Sequence, residues 1–467
     1  MEKAEYIGSN GCPQRNSTEC EKYAGARSVV PPENGEKAGR GPNLLEKILD
    51  RDNLNRAYKR VEANKGAPGV DGMTVKEALP WLKEHGKELI NSILQGKYKP
   101  DPVRRKEIPK SDGGVRKLGI PSVKDRIVQQ GVAQILTPIY EPLFTDGSYG
   151  YRPGRSAQDA IRRILEYGKQ GYEWAVLLDL SKYFDTLNHE KLLNLLRREI
   201  EDERVIQLIK RFLKSGVMEN GVVMPTEEGS PQGGPLSPLL ANIYLNEFDH
   251  EYERRGVPVI RYADDIVILC KSERAAERLL ESSIRYLEEK LKLRINRDKS
   301  HIAKLNATKN FKFLGFAFGK NKKGWFIRAH KKALTKAKEK LRELTKRNQG
   351  RNVKVVMEDV KEYLRGWLNY YGIADMKNAM KEWNSWLRRR FRMYIWKQWK
   401  RCRTRYRNLL RLGIPEKYAK MAAGSRKKYW FMSKVTTVER AISNERLASL
   451  GYFDIQEAYE SVRFAKC

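Results

Sequence analysis

Residues 257–270 read VPVIRYADDIVILC, with two β-prone apolar runs on either side of Ala263-Asp264-Asp265. Such runs, separated by a short interruption, predict a β-hairpin with two adjacent carboxylates at its tip. Aspartates in turns are most often solvated residues that hydrogen-bond to the local backbone. Acids at the edge of apolar strands are less ordinary, because neighbouring carboxylates repel each other unless a cation neutralises them.

A further acid ends another apolar run. Residues 174–180 read WAVLLDL, which predicts a short buried strand ending at Asp179. If this strand pairs beside the hairpin, Asp179 and Asp264 converge on one or two divalent ions, and hard oxygen ligands favour Mg²⁺. Phosphoryl transfer needs such charge neutralisation more than it needs a protein nucleophile. Spacing alone leaves both interpretations open, a metal site and a set of solvated turn residues.

The overall charge predicts a polyanionic partner. The chain has 467 residues, enough for two or three domains, and 92 Lys and Arg against 58 Asp and Glu give a formal net charge of +34. This surplus, most of which lies after Asn321, favours nucleic acid or an anionic membrane over a small metabolite. The mean hydropathy is −0.68, and the sequence lacks the apolar run of about 18 residues that predicts a membrane span.

Cysteine usage and the N-terminus predict an intracellular setting. The five cysteines lack CxxC spacing, so neither a disulfide scaffold nor a zinc finger is expected. The first residues lack the apolar core of a secretion signal. We therefore expect a reduced, cytoplasmic protein that associates with nucleic acid.

The composition and periodicity of the sequence change twice along the chain. Residues 1–42 are polar and without periodicity, which predicts a disordered tail. Residues 102–318 alternate short apolar runs with helical patterns, which is typical of an α+β fold. After Gly319 the patterns are helical and strongly basic.

Tyr262-Ala263-Asp264-Asp265 resembles the YxDD box of reverse transcriptases. Other stretches resemble the remaining blocks of that family in the same order: 110–116 (KSDGGVR), 148–153 (SYGYRP), 179–189, 231–238 (PQGGPLSP), 296–300 (NRDKS) and 313–316 (FLGF). Together they are most similar to bacterial group II intron-encoded proteins, with coverage from about Asn43 to the C-terminus. A lone YADD is a weak signal, whereas an ordered set of blocks is specific.

This resemblance implies a right-hand polymerase with fingers, a palm built on an antiparallel sheet, and a helical thumb. It implies an RNA-directed DNA polymerase that copies intron RNA into cDNA and binds the group II intron RNA to assist splicing and mobility. The expected partners are that RNA, an RNA template with a DNA primer, and a DNA target site in the bacterial nucleoid. The implied regions are 43–318 for fingers and palm, 319–400 for the thumb and maturase region, and 401–467 for DNA binding.

The family pattern also implies roles for individual residues. Asp179 and Asp264 would hold two Mg²⁺ ions, with Asp265 and the backbone carbonyl of Leu180 in support. Phe184 matches the aromatic residue beneath the sugar that selects dNTP over NTP by a steric clash with a 2′-hydroxyl. Without the resemblance, a core phenylalanine is the simpler interpretation.

Further residues match positions that contact the dNTP. The implied set is Lys110 and Arg116 around the Gly113-Gly114 turn, Gln232 near the nascent base pair, and Lys299 near the leaving pyrophosphate. Taken alone, basic residues around a turn more often form a solvated surface, and loop glycines commonly indicate only a turn.

Residues 364–371 (LRGWLNYY) resemble the maturase region of group II intron proteins. The aromatic residues of 383–399 recur at helical spacing and predict core packing, so the interleaved cations are expected to face outward and follow phosphates. The predicted nucleic-acid contacts are Arg388, Arg389, Arg390, Arg392, Lys397, Lys400, Arg403 and Arg405. No paired cysteines or histidine cluster follow, so an H-N-H endonuclease is not expected, as in the class C lineage.

Three alternatives stay open at this point. The chain could be a maturase that binds intron RNA without polymerising, or a reverse transcriptase recruited to a role outside an intron. RNA-dependent RNA synthesis would require tolerance of NTPs, and Phe184 predicts the reverse.

Overall fold

The computed structural model describes residues 41–109, 115–219, 222–224, 228–230 and 233–466. These fall into two compact units, one ending at Lys304 and the other beginning at Leu305. The first unit mixes helices and strands and the second is mainly helical, which confirms the predicted α+β class. In the described ranges no helix is both long enough and apolar enough to cross a membrane.

The described part of the first unit contains helices and two sheets. The helices are α1 (Leu44–Leu49), α2 (Arg51–Ala63), α3 (Val75–Leu94), α4 (Val123–Tyr140), α5 (Ala157–Lys169), α6 (His189–Arg197), α7 (Glu203–Leu213), α8 (Ser237–Arg254) and α9 (Glu273–Arg285). Short helical turns cover Glu141–Leu143, Tyr183–Asp185 and Tyr286–Lys290. The strands are β1 (Val103–Pro109), β2 (Val115–Ile120), β3 (Trp174–Asp179), β4 (Val217–Glu219), β5 (Val222–Met224), β6 (Val259–Tyr262), β7 (Asp265–Cys270) and β8 (His301–Lys304).

The sheet that carries the predicted carboxylates has the strand order β6-β7-β3-β8, and all its pairs are antiparallel. The second sheet of this unit has the order β2-β1-β4-β5, and only its β1–β4 pair is parallel. The predicted hairpin of residues 257–270 is therefore present as β6 and β7, and the predicted strand ending at Asp179 is its neighbour β3.

Alternation along β3 and β7 decides which side chains enter the main core. Val176 and Leu178 on β3 and Ile266 and Ile268 on β7 belong to the main hydrophobic cluster, together with the buried side of α8. Side chains of a strand alternate between faces, and directly paired residues share a face. The side chain of Asp179 therefore leaves β3 on the face opposite this cluster, so its carboxylate does not have to enter the apolar core.

The second unit opens with a hairpin of β9 (Phe316–Asn321) and β10 (Gly324–Ala329). Its helices are α10 (Lys331–Leu344), α11 (Val353–Tyr371), α12 (Lys377–Gln398), α13 (Cys402–Arg411), α14 (Glu416–Ala423), α15 (Tyr429–Met432), α16 (Thr436–Ala441), α17 (Asn444–Ser449) and α18 (Ile455–Lys466).

The two compact units divide between Lys304 and Leu305, which is neither of the predicted region boundaries, 318/319 and 400/401. The predicted functional regions stay predictions. A cut at 318/319 would fall inside β9, whose Phe316 ring lies 5.1 Å from the ring of Tyr371 on α11. A cut at 400/401 would separate α18 from its contacts. The buried Tyr459 on α18 donates a hydrogen bond to the carbonyl oxygen of Ala374 at 2.8 Å.

Replacing Tyr459 with alanine tests whether the C-terminal segment shares a core with the rest of the second unit. The change removes a buried ring and leaves the backbone N–H of Met376, 3.0 Å from the Tyr459 hydroxyl, without this acceptor. We expect the free energy of unfolding of this unit to fall by about 3–5 kcal/mol, measured by denaturant titration of the full chain. The control is Phe464→Ala on the same helix, where the side chain is 84% exposed. Equal effects of the two changes would contradict the shared core.

Candidate active site

A two-residue turn carries the first candidate carboxylate. Tyr262 pairs with Asp265 across the β6–β7 hairpin, which leaves Ala263 and Asp264 as the turn. Ala263 has a φ of 59°, a left-handed conformation that costs a non-glycine residue energy and persists only where the surroundings enforce it. Local sequence preference alone therefore does not account for this turn.

The strand register brings the predicted acids to one edge of the sheet. Asp179, the last residue of β3, pairs directly with Asp265, the first residue of β7. Directly opposed residues have Cβ atoms about 4.5–5.5 Å apart on the same face, and like charges there repel each other. Asp264 lies one residue further along, in the turn itself. The register thus places Asp265, rather than Asp264, opposite Asp179.

The Leu180 carbonyl points toward the hairpin side of β3. On the other side, Asp179 accepts a hydrogen bond from the N–H of Asn296 at 2.9 Å, and Ser181 donates one to the carbonyl of Arg294 at 2.8 Å. Backbone groups of an extended chain alternate in direction. The Leu180 carbonyl, between these two residues, therefore faces away from 294–296 and toward β7.

The predicted dNTP contact Lys299 lies beside the first carboxylate. Its Nζ is 3.9 Å from Oδ2 of Asp179, and both side chains are partly exposed, so solvent weakens the pair. The adjacent Ser300 accepts a hydrogen bond at its Oγ from the backbone N–H of Asp179 at 3.1 Å. This segment therefore fixes the end of β3 and brings a cation to it.

A buried arginine supports the turn from beneath. Arg261 on β6 is 0% exposed and forms an ion pair with Asp249 on α8. Its Nη1 donates to Oδ1 of Asn242 at 2.8 Å and to the carbonyl oxygen of Ala263 at 3.2 Å. Its Nη2 donates to Oγ of Ser148 at 2.8 Å. The guanidinium thus connects α8 and the 148 segment to the turn that carries Asp264.

A glycine on the 148 segment lies against the same turn. A Cβ added at Gly150 would lie 2.3 Å from the backbone nitrogen of Ala263, closer than side chains approach. The Gly150 carbonyl also accepts a hydrogen bond from Nδ2 of Asn242 at 2.7 Å. Only a residue without a side chain lets this segment approach the turn so closely.

Phe184 occupies the helical turn that follows β3. It is buried, and its ring centroid lies 5.4 Å from that of the fully buried Tyr183. Burial raises the pKa of Tyr183 well above its usual value, and the charge of Asp264 acts in the same direction. Phe184 therefore belongs to a packed cluster close to the turn that carries Asp264, a position compatible with either a core role or a sugar contact.

Three of the predicted dNTP contacts lack a described side chain. Lys110 and Gln232 lie outside the described residues. Arg116 is described by its backbone, which pairs with Ile108 in the β1–β2 hairpin. Their roles stay predictions.

Two family models match this chain. Residues 108–318 match the model described as reverse transcriptase (RNA-dependent DNA polymerase). Residues 334–413 match the model described as group II intron, maturase-specific domain. Protein YkfC of Escherichia coli (strain K12) is 37% identical, over 58% of this chain and 81% of its own length. The chain belongs to the group II intron reverse transcriptases.

Other members and neighbours of this reverse transcriptase family are similar over shorter stretches. The group II intron-encoded protein LtrA of Lactococcus lactis subsp. cremoris is 42% identical over 44% of this chain, and the match covers 34% of LtrA. A chain of the solved partial Cas6-RT-Cas1--Cas2 complex aligns with 54% of this chain and 44% of its own, at 26% identity and a TM-score of 0.35.

Reverse transcriptases depend on divalent metal ions, and the donors at this sheet edge suit Mg²⁺. Asp179, Asp264 and Asp265 supply carboxylate oxygens, and Leu180 supplies a backbone carbonyl. Across the described ranges, no three acidic, histidine or cysteine side chains are gathered closely enough to enclose a metal ion on their own. An open set is usual for Mg²⁺, which takes one or two carboxylates and completes its shell with substrate phosphates and water.

The aromatic stripe of α12 packs largely in the core, as the spacing predicts. Trp383, Phe391 and Tyr394 are buried, whereas Trp386 and Trp399 are half-buried. The expectation that the interleaved cations face outward is wrong for Arg392, which is buried and donates to the carbonyl of Ile442 at 2.9 Å. Arg405 on α13, predicted as a nucleic-acid contact, is also buried and donates to the carbonyl of Trp399 at 2.9 Å.

Of the other predicted nucleic-acid contacts, three arginines bond to groups within the fold and three residues are exposed or half-buried. Arg388 pairs with Asp454 at 2.6 Å, Arg389 donates to the carbonyl of Trp430 at 2.9 Å, and Arg390 donates to that of Thr345 at 3.1 Å. Lys400 and Arg403 are exposed, and Lys397 is half-buried with its Nζ 5.0 Å from the ring of Tyr429. Roles in nucleic-acid binding stay predictions for all of them.

The residues that support the turn were missed by sequence reasoning. Arg261 interrupts an apolar run, and a charged residue among strand residues is a signal that something buried must pair with it. The sequence does not indicate that Asp249 is the partner. Gly150 lies within a block that resembles the family, but nothing local shows why a glycine is needed there.

Gly150→Ala tests whether close approach to the turn positions Asp264. The added methyl group forces the turn or the 148 segment to move, so we expect cDNA synthesis to fall at least about 10-fold, since small misplacements in an active site cost up to about 100-fold. Initial rates of primer extension on an RNA template measure it.

The matched control is Gly86→Ala on α3, where an added Cβ meets no atom within 4 Å. Both variants are checked for an unchanged unfolding transition. Full activity of Gly150→Ala would show that the close approach does not matter for positioning.

Proposed function

We propose that this reverse transcriptase copies group II intron RNA into cDNA by two-metal nucleotidyl transfer at the edge of the β6-β7-β3-β8 sheet. The observation that carries the proposal is the register, which pairs Asp179 with Asp265 beside the turn that holds Asp264. In addition, the maturase-specific match supports binding of intron RNA to assist splicing and mobility.

Asp179 and Asp264 are the proposed metal ligands, with Asp265 and the Leu180 carbonyl in support. When bound, the two Mg²⁺ ions lower the pKa of the primer 3′-hydroxyl and stabilise the charge on the departing pyrophosphate. The carboxylates hold their oxygens at one edge of a rigid sheet, so little reorganisation is needed during reaction. Lys299, 3.9 Å from Asp179, adds a positive charge where phosphate charge has to be neutralised.

The proposed dNTP site lies where Phe184 follows β3. A rigid aromatic ring beneath the sugar would exclude a 2′-hydroxyl and so favour dNTP over NTP. Lys110, Arg116 and Gln232 complete this site by resemblance to the family. Packing against Tyr183 supports the proposal, because a ring that cannot swing aside excludes more strictly than a mobile one.

The proposed partners are intron RNA, an RNA template with a DNA primer, and a DNA target site in the nucleoid. A net charge of +34 supports polyanionic partners in general. The exposed Lys400 and Arg403 are available for phosphate contacts.

Asp264→Asn tests the proposed metal site. The amide keeps the size of the side chain and removes its charge, so we expect a loss of cDNA synthesis of about 1000-fold or more, equivalent to several kcal/mol of transition-state stabilisation. Primer extension on an RNA template with dNTPs and Mg²⁺ measures it. The control is Asp52→Asn, an exposed acid on α2.

Retained synthesis by Asp264→Asn would exclude Asp264 as an essential ligand. If the unmodified protein makes no cDNA and still binds intron RNA tightly, a maturase that only binds RNA is the better description.

Phe184→Val separates a sugar contact from a core role. If the ring contacts the sugar, shortening it opens space for a 2′-hydroxyl, and we expect incorporation of NTP relative to dNTP to rise about 10- to 200-fold. Single-nucleotide incorporation kinetics measure the ratio. Tyr183→Phe, which keeps the neighbouring ring but removes a hydroxyl donating to Ala241, serves as control. A lower unfolding temperature of Phe184→Val with unchanged selectivity would identify a core phenylalanine.

A further inference from the structure

A groove in the second unit lies along one face of α12. It has a volume of about 560 Å³, and Trp430 on α15 forms its other wall. The lining residues of α12 follow helical spacing along a single stripe: Asn378, Lys381, Glu382, Ser385, Trp386 and Arg389. Pockets that bind small ligands in proteins commonly have volumes of about 300–1,000 Å³.

The half-buried Trp386 is crowded by cations from two helices. Lys338 and Arg342 of α10 lie 5.5 Å and 5.9 Å from its ring centroid, and Arg390 of α12 lies 5.1 Å away. Glu382 pairs with Lys338 at 2.9 Å. Arg390 donates instead to neutral oxygens of Thr345 and Arg342. Burial lowers the pKa of Arg390 to about 10, and the neighbouring charge of Arg342 acts in the same direction.

The opposite wall is a stacked pair of planar groups. The guanidinium of Arg389 lies 3.8 Å from the ring centroid of Trp430 and donates to the Trp430 carbonyl at 2.9 Å. This hydrogen bond holds the two planes together. The groove therefore has a flat surface on each wall, Trp386 on one and the Arg389–Trp430 stack on the other.

We propose that this groove binds an unpaired nucleobase of RNA, stacked on Trp386, with the adjacent phosphate held by Lys381. The inference rests on the proposed function in one respect, that RNA is the macromolecule bound. Aromatic and arginine faces stack with any base, and cations around them attract the backbone. Bases of a duplex already stack on one another, so an aromatic groove favours single strands, loops and bulges.

Charge selects RNA over an apolar partner for this groove. The groove lining carries two cations, Lys381 and Arg389, and one acid, Glu382, which already pairs with Lys338 of α10. An apolar peptide would leave these charges desolvated, whereas a phosphate neutralises them. The protein as a whole carries the same surplus.

The test compares binding of unstructured oligouridine with binding of an RNA duplex across a range of salt concentrations. We expect Trp386→Ala to weaken oligouridine binding about 5- to 150-fold, the contribution of one stacked base, with an unchanged salt slope. Trp386→Phe keeps a stacking ring and should restore most of the affinity. Lys381→Gln should instead flatten the salt slope by about 0.7, the release expected for one phosphate contact.

The matched control is Trp325→Ala, since Trp325 is also half-buried in this unit and has Lys320 5.3 Å from its ring, but does not line the groove. Oligouridine affinity of Trp386→Ala equal to that of the unmodified protein would overturn the proposal. So would an equal loss on duplex RNA or an equal loss in Trp325→Ala. Primer extension by the unmodified protein is measured in parallel, so failure of the polymerase proposal is seen separately from failure of the groove.

Discussion

The buried ion pair of Arg261 and Asp249 is the interaction on which the arrangement of the carboxylates depends. Both side chains are almost completely removed from water, at 0% and 2% exposure. Desolvating two charges is expensive, and the cost is recovered only when the remaining donors are also satisfied. Here Asn242, Ser148 and the Ala263 carbonyl accept them. Removing one partner would leave the other charge buried, a loss of about 3–5 kcal/mol. The pair therefore ties α8, the 148 segment and the carboxylate turn into one arrangement.

This arrangement explains how the turn keeps an unfavourable backbone conformation. Ala263 is in the left-handed region, and its carbonyl is held by Arg261 while Gly150 closes against its nitrogen. Gly147 approaches the Val259 carbonyl in the same way at the start of β6, where an added Cβ would lie 2.1 Å from the oxygen. Contacts at both ends of β6 thus restrain the position of Asp264 relative to Asp179. Phosphoryl transfer depends mainly on positioning, so the rigidity of these supports is a direct contribution to the proposed chemistry.

The fold class and the carboxylate edge could be predicted from the sequence because their signals are local. The runs around Asp264 and before Asp179 show strand composition, and a short interruption defines the hairpin. The supports could not be predicted, since Arg261 and Gly150 act through contacts with residues far along the chain. The boundary at 318/319 follows a change in composition, yet Phe316 packs on Tyr371, and that contact depends on the tertiary structure. Composition indicates where charge accumulates, whereas packing decides where a compact unit ends.

The difference between what composition indicates and what packing decides also explains why arginines of α12 bond within the fold. Spacing assigns Arg388 and Arg392 to an outward face, but their acceptors, Asp454 and the Ile442 carbonyl, come from segments 66 and 50 residues further on. A guanidinium offers five donors in a fixed plane and suits such internal bonding, whereas an ammonium group on a flexible stem suits contact with mobile phosphates. Much of the arginine of α12 thus bonds this helix to the C-terminal segments that pack against it. The positive charge left at the surface, on groups such as Lys381 and Lys400, is then the part best suited to RNA. A basic composition therefore overstates the area of the nucleic-acid interface, and the contacts within the fold show which part of the charge remains for it.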